Sequence, residues 1–503
     1  MTSSRPHPVW PPAVSFVSLV TLPALLSCAI LLPGGSGRCS ADDESAPVPA
    51  IVIPSDPKAP TVSSEDAAVL AWNMATLYVP ASKAPDHPAK TEELAALTPI
   101  MHLIAHDSAA NRDAARSAIA TALAAGSKDV LIAYVNIMLS PVSRREMARQ
   151  LIAIYPQWKT SPYPPVRRAY CSMFILSTLS PDRDASYPPF HEWAYQDVFA
   201  ALATFPEHEQ SMVRGFFPKA KAFFADAAYL NNDGAPERII RDLSAPGIAP
   251  WWSKSLQGVV EIDLAWQTRG GGYANTVTDQ QWKGYGEHLA KAQSLLTAAW
   301  NLEPERPEAA TQMITVAMGG TTDNGTIYDW FNRAVAAQMD DAEAYDTMLY
   351  ALMPRWGGSY EDMLRLGSAG AQTGRFDTRA PWELITIVRR IYQEDPKPGG
   401  VPPAALTPVV YSACQRVIAG YQALKATSDP ESETTLADLA WMCGHQAGES
   451  LKHLDAAGTA VDESMIRADL HLSAEDFRAV LAAASAAPPG RPAPAAGSDT
   501  LLF

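Results

Sequence analysis

Two histidines have the spacing of a metal-binding pair. His102 and His106 lie four residues apart in a predicted helix, so both imidazoles would project from one face. No third ligand is apparent beside them, and the chain has no H-E-x-x-H motif. A solvated or capping pair explains these residues better, and we predict no metal site.

The acidic and nucleophilic residues do not form a catalytic pattern. Glu261 and Asp263 lie on one predicted helix, and adjacency in sequence does not supply the separation across a cleft that glycoside hydrolysis needs. The chain has no G-x-S-x-G motif, no Ser/His/Asp arrangement and no Cys/His motif. We therefore predict no catalytic residue and no cofactor.

The cysteines are too widely spaced for a zinc motif. They are Cys28, Cys39, Cys171, Cys414 and Cys443. Because Cys414 and Cys443 lie on neighbouring predicted helices, one hypothesis is a disulfide between them in an oxidising compartment. The alternative is that the cysteines are buried free thiols.

Arginine and tryptophan side chains are the better candidates for a binding surface. The turn formed by residues 354–359 contains Arg355 and Trp356, and Arg375 and Asp377 follow near the start of another predicted helix. Aromatic and arginine side chains are enriched where proteins bind one another. The predicted binding residues are Trp282, Trp330, Arg355, Trp356, Arg375 and Asp377. A purely structural interpretation also fits the turn, because Ser359 can cap the next helix and the glycines permit a tight bend.

Helical periodicity is strongest between Trp282 and Trp382. Apolar residues from Trp282 to Ala299 recur at three and four residues, which predicts one face of a helix, and Thr278 to Gln281 form a capping box before it. Pro307 suits the first turn of the next helix.

This helical pattern returns after 35 residues. Met313 and Ile314, for example, fall on Met348 and Leu349. Two-helix units of this length resemble the tetratricopeptide repeat. The sequence departs from that consensus at Thr297 and Asn332, where the consensus has a small residue, and a third unit fits only with an offset near 39. We therefore predict an all-α fold, an irregular α-solenoid of TPR-like helical hairpins.

Several phrases in this segment also resemble a bacterial family of unknown function. They are residues 269–278, residues 330–338, the PRWGGS box at 354–359 and residues 375–378. The resemblance covers about residues 266–382. It implies an α-helical repeat domain and supplies no catalytic residues.

The rest of the chain is organised around this repeat domain. The predicted segments are a signal peptide or membrane anchor at 1–37, a Pro/Ala-rich linker at 38–63, an N-terminal helical region at 64–266, the TPR-like domain at 267–392, a C-terminal helical region at 401–487 and a disordered tail at 488–503. Within the linker, residues 51–53 could add a short strand, but prolines on both sides limit it. In the C-terminal region, Thr407–Ala426 and Thr434–Leu454 are predicted as a long helical pair.

The net charge and the predicted N-terminal leader limit the possible partners and location of this protein. The net charge is −15 and the pI is about 5.1, which disfavours binding to nucleic acid. The leader predicts a periplasmic or extracellular protein, or one anchored to the membrane by residues 13–32. We predict an exported scaffold that binds a protein or peptide partner without catalysis. The alternatives are an α-helical hydrolase of a cell-envelope polymer and a small-ligand-binding domain.

Overall fold

The computed structural model describes most of the chain as helices and turns. It describes residues 49–56, 69–105, 108–179, 186–204, 210–225, 234–272, 274–320, 325–394, 403–425 and 430–486. These ranges contain no β-strand, which confirms the all-α prediction. The predicted leader, most of the linker, the tail, Cys28, Cys39 and His106 lie outside the described residues.

The chain divides into two compact units. Unit 1 comprises the described residues of Val62–Pro304, and unit 2 comprises those of Ile30–Thr61 and Glu305–Phe503. The boundary predicted after residue 266 falls within unit 1.

Unit 1 is a succession of helices. Residues 69–73 are helical and lead into a π-helical turn, Met74–Tyr78, and a short helix, Val79–Ser82. Its longer helices are α1 (Lys90–Ala105), α2 (Ala109–Ala124), α3 (Val130–Met138), α4 (Arg144–Trp158), α5 (Pro165–Thr178), α6 (Tyr187–Thr204), α7 (Gln210–Phe224), α8 (Ala235–Leu243), α9 (Pro250–Arg269) and α10 (Asp279–Leu302). The sequence predicts helices over Ala109–Ala124 and Val130–Met138, and these bounds agree with α2 and α3, whereas α8 was not predicted.

Side-chain caps explain where several of these helices begin. Ser108 accepts a hydrogen bond from the Asn111 amide at the start of α2, and Ser143 does the same for α4. Thr278 and Gln281 form the predicted capping box at the start of α10. These polar groups satisfy amides that the helix itself leaves without a partner.

An aromatic core fills unit 1. Phe216 and Phe217 of α7 are fully buried, and their rings lie 6.1 and 5.7 Å from that of Trp252. These residues belong to the core, as the sequence indicates. Along the neighbouring pair α9 and α10, Gly258 lies so close to Leu296 that an added Cβ would be 2.6 Å from its Cγ atom. The partner of α10 in unit 1 is therefore α9, and the hairpin predicted for residues 282–320 is divided between the two units.

Unit 2 contains the remaining helices and the extended segment of residues 49–56. Its helices are α11 (Pro307–Gly320), α12 (Gly325–Ala337), α13 (Ala342–Ala351), α14 (Tyr360–Gln372), α15 (Glu383–Gln393), α16 (Pro408–Lys425), α17 (Pro430–Met442), α18 (Ala447–Ala457), α19 (Glu463–Leu470) and α20 (Ala474–Ala486). Helix α11 packs against both α12 and α13, and α14 packs against α15.

The C-terminal part of unit 2 differs from the prediction. The helix predicted for Thr434–Leu454 is broken into α17 and α18, because Gly444 and His445 have positive φ angles of 90° and 51°. A left-handed backbone cannot continue an α-helix. The short helix α19 was also not predicted.

The cysteines described by the structure are free thiols. Cys171, Cys414 and Cys443 are buried and unbonded. The hypothesis of a disulfide between Cys414 and Cys443 is therefore wrong, and the alternative of buried thiols holds for these residues. Burial raises the pKa of Cys414 to about 12, which keeps this thiol protonated and unreactive.

Candidate functional site

Residues 49–56 form an extended segment that belongs to unit 2. Pro49, Ile51 and Ile53 are half-buried, whereas Ala50 and Val52 are exposed. This alternation is that of a β-strand with one face on a protein surface. The segment has no neighbouring strand among the described residues, so its main chain is held in another way.

Asn332 of α12 holds the main chain of this segment with both ends of its amide. Its Oδ1 atom accepts a hydrogen bond from the Val52 amide at 2.9 Å, and its Nδ2 atom donates to the Ala50 carbonyl at 2.9 Å. Ala50 and Val52 flank Ile51, so the amide group takes the place of one residue of a parallel neighbouring strand. Such a contact recognises an extended backbone without reading its side chains.

Two arginines contact the carbonyls near the ends of the segment. Arg365 of α14 donates from Nη2 to the Pro49 carbonyl at 2.9 Å, while its Nη1 atom bonds Asp362 at 2.8 Å. Arg375, which follows α14, donates from Nη1 to the Asp56 carbonyl. Four hydrogen bonds therefore hold the segment, and all four use its main-chain atoms.

Arg375 is fixed in place by Asp377. Two parallel hydrogen bonds of 2.8 and 2.7 Å join its Nε and Nη2 atoms to the two carboxylate oxygens. The Arg375 guanidinium lowers the pKa of Asp377 through these bonds, so the carboxylate remains charged. Because Nε and Nη2 are held by Asp377, the third guanidinium nitrogen, Nη1, is directed at the Asp56 carbonyl.

The two helices that carry Asn332 and Arg365 begin one predicted repeat length apart. Helix α12 begins at Gly325 and α14 begins at Tyr360, which is 35 residues later. Ser359 accepts a hydrogen bond from the Asp362 amide and so fixes where α14 starts, as predicted. Both helices contact the same extended segment, Asn332 at residues 50 and 52 and Arg365 at residue 49.

Of the six predicted binding residues, Arg375 contacts the segment directly and Asp377 positions it. Trp330 is buried in α12, where the Arg333 guanidinium lies 4.2 Å from its ring centroid, so it supports the helix that carries Asn332. Trp282 belongs to unit 1 and lies 5.2 Å from the Arg269 guanidinium.

Arg355 and Trp356 lie in the turn between α13 and α14. The Tyr350 ring lies 5.2 Å from the Arg355 guanidinium and 5.7 Å from the Trp356 ring. Gly357 has a φ of 91°, and a Cβ atom on Gly358 would lie 2.1 Å from the Leu352 carbonyl oxygen. These contacts account for the residue types in the turn.

Sequence reasoning missed Asn332 and Arg365 as binding residues. A signal for Asn332 was present, because it replaces the small residue that the repeat consensus has at that place. Nothing in the local sequence distinguishes Arg365 from an exposed helical arginine. A short strand at residues 51–53 was considered, but the residues that contact this segment lie far along the chain.

Of the two acidic residues considered for catalysis, Glu261 has a structural partner, whereas the Oδ2 atom of Asp263 is buried with no hydrogen-bond partner among the described residues, and burial raises the pKa of Asp263 to about 7. Glu261 contacts the His288 Nδ1 atom at 2.6 Å, which joins α9 to α10. Burial raises the pKa of Glu383 to about 7, although Arg379 pairs with it at 2.7 Å. Within the described ranges, no three His, Cys, Asp or Glu side chains come together to hold a metal ion.

The helices of the described ranges include none with the length and apolar character needed to cross a bilayer. No family model, curated protein or solved structure matches this chain.

Proposed function

We propose that this protein is a helical-repeat scaffold without catalysis of its own, and that unit 2 binds an extended peptide segment of a partner protein. The observation that carries the proposal is the set of four hydrogen bonds from Asn332, Arg365 and Arg375 to the main chain of residues 49–56. Side chains that engage only main-chain atoms can accept many sequences, as in recognition by strand addition.

The spacing of the helices supports TPR-like hairpins in this part of unit 2. Helices α11 and α13 begin at Pro307 and Ala342, again 35 residues apart, as do α12 and α14. Repeats of one length place equivalent side chains along one surface. We propose that α12 and α14 form such a surface, to which Asn332 and Arg365 contribute from different positions of their helices, and that Arg355, Trp356 and Trp330 maintain the hairpins behind it.

Export of the scaffold is part of the same proposal. The apolar stretch at residues 13–32 and the small residues after it support secretion to the periplasm or beyond, with a membrane anchor as the alternative. The partner would then be a protein or peptide of the cell envelope. The resemblance to the bacterial family with the PRWGGS box is consistent with a repeat domain and gives no substrate.

The test is capture of envelope proteins by the full chain, with cross-linking, followed by identification of the cross-linked peptides. We expect N332A to lose the captured partner, because it removes both amide contacts. The control D329A changes an exposed residue of the same helix α12 and should retain it. Equal capture by both variants, with unchanged helical content, would overturn this assignment of the site.

A further inference from the structure

We infer that residues 49–56 are an internal ligand that occupies the peptide site and competes with the partner. This inference rests on the proposed function, since it assumes that the same surface of unit 2 accepts peptides from other chains. It also defines the ligand class: an extended peptide with aliphatic side chains at two alternate positions and an acidic residue near its C-terminal end.

The burial pattern supplies the first part of this ligand description. Ile51 and Ile53 are half-buried against unit 2, and Val52 between them is 59% exposed. A competing peptide must therefore present apolar groups at positions two residues apart and can carry any residue between them. To contact Asn332, the peptide needs only a free carbonyl at the position of Ala50 and a free amide at the position of Val52.

The prolines of the segment favour binding as a single extended chain that is not part of a β-sheet. Pro49 and Pro54 lack amide donors and favour extended backbone at the residues before them. They preorganise the chain for the site and oppose its incorporation into a β-sheet. A partner peptide with similar proline flanks would lose little conformational freedom on binding.

Electrostatic attraction to Arg375 is the reason to expect an acidic residue near the C-terminal end of the ligand. Arg375 donates to the Asp56 carbonyl, and its pKa is raised mainly by the hydrogen bond to Asp377, with the Asp56 charge making a smaller contribution in the same direction. The Arg365 and Arg375 guanidinium groups are already paired with Asp362 and Asp377, and the attraction of Arg375 to Asp56 adds to those pairs. An acidic residue at the place of Asp56 therefore favours binding at this end.

Tethering explains how a weakly bound segment can still block the site. A segment joined to its own binding surface has an effective concentration on the order of millimolar, depending on the tether. A free peptide of the same intrinsic affinity must displace it. If the segment occupies the site at least nine-tenths of the time, the apparent affinity for a free peptide falls about tenfold or more.

The experiment uses full-length chains and a fluorescent peptide of residues 47–58, with anisotropy as the measure of binding. The variant I51D/I53D places two charges on the half-buried face of the segment and should release it. The matched control A50D/V52D places the same two charges on the exposed face and should leave the segment bound. We expect the peptide to bind I51D/I53D at least about tenfold more tightly than the wild type or the control.

Three other outcomes would overturn the inference. Equal binding to all three chains would overturn the internal competition while leaving the peptide site intact. Absence of binding to every folded chain would overturn the proposed function as well. Loss of helical circular dichroism in I51D/I53D would show that the segment is a structural part of the fold, and this too would overturn the inference. Addition of N332A to I51D/I53D should abolish the gain.

Discussion

At the scale of single residues, the side-chain amide of Asn332 is the group that contacts the main chain of the segment at two places. Asn332 both donates to and accepts from the segment, so it fixes chain direction as well as position. An aspartate would lose the donor and a leucine would lose both groups. The two arginines add charge-assisted bonds to carbonyls, which strengthen binding and leave side-chain selection to packing.

The variant N332L tests the amide directly. Leucine has a similar size, so the expected change comes from the loss of two hydrogen bonds worth about 1 kcal/mol each. We expect hydrogen exchange at the Val52 amide to accelerate by roughly thirtyfold. D329A on the same helix serves as the control and should leave this rate unchanged. Unaltered exchange in N332L would mean that other contacts hold the segment.

At the scale of elements, the sequence predicts helices well and their connections less well. Apolar periodicity and capping residues identify α2, α3 and the start of α10, because both signals are local. The break at Gly444 and His445 was missed, although the apolar pattern stops at Cys443 and glycine is the residue type most favoured just after a helix. Helix α8 was missed although it is as long as α3 and its buried residues Ala235, Ile239 and Leu243 recur every four positions, whereas α19 has only eight residues.

The turn between α13 and α14 offers a test of the structural role of the PRWGGS box. In G358A the added Cβ atom would lie 2.1 Å from the Leu352 carbonyl oxygen, so the backbone must shift. We expect a loss of about 1 to 3 kcal/mol in the free energy of unfolding, measured by urea denaturation.

The neighbouring glycine is the matched comparison. The Cβ atom in G357A would meet open space, and the cost arises only from its φ of 91°. That cost should be roughly 1 kcal/mol. If G358A proved as stable as the wild type, the close approach of this turn to Leu352 would be refuted.

At the scale of the whole molecule, the segment of residues 49–56 is the feature that sequence reasoning could not place. Its contacts with Asn332, Arg365 and Arg375 join residues 280 to 319 positions apart. Local patterns carry no information about such distant pairs. The helical class and most helix positions were predictable, whereas the residues that contact the segment could be found only in the folded structure.

Stability should depend on pH through buried carboxyl groups. Glu383 is 1% exposed and its pKa is about 7, against a usual value of 4.5. Between these pH values the folded chain binds more protons than the unfolded chain, so the free energy of unfolding falls as pH rises from about 4.5 to 7. The contribution of this group is roughly 3 kcal/mol.

The variant E383Q should therefore reduce the decline in stability across that window, as measured by urea denaturation at several pH values. Glutamine cannot ionise, so the cost of burying a charge is removed, although the pair with Arg379 is also lost. E361Q changes an exposed residue of α14 and provides the control. An identical pH dependence in the wild type and E383Q would contradict the assignment.

The most direct measurement of peptide recognition compares two methylated peptides of residues 47–58 binding to the I51D/I53D chain. Methylation of the Val52 amide nitrogen removes the donor to Asn332, whereas methylation of the Ala50 nitrogen affects none of the four hydrogen bonds. We predict about fivefold weaker binding for the Val52 peptide, and unchanged binding for the Ala50 peptide. Equal affinities of the two peptides would contradict recognition of the main chain by Asn332.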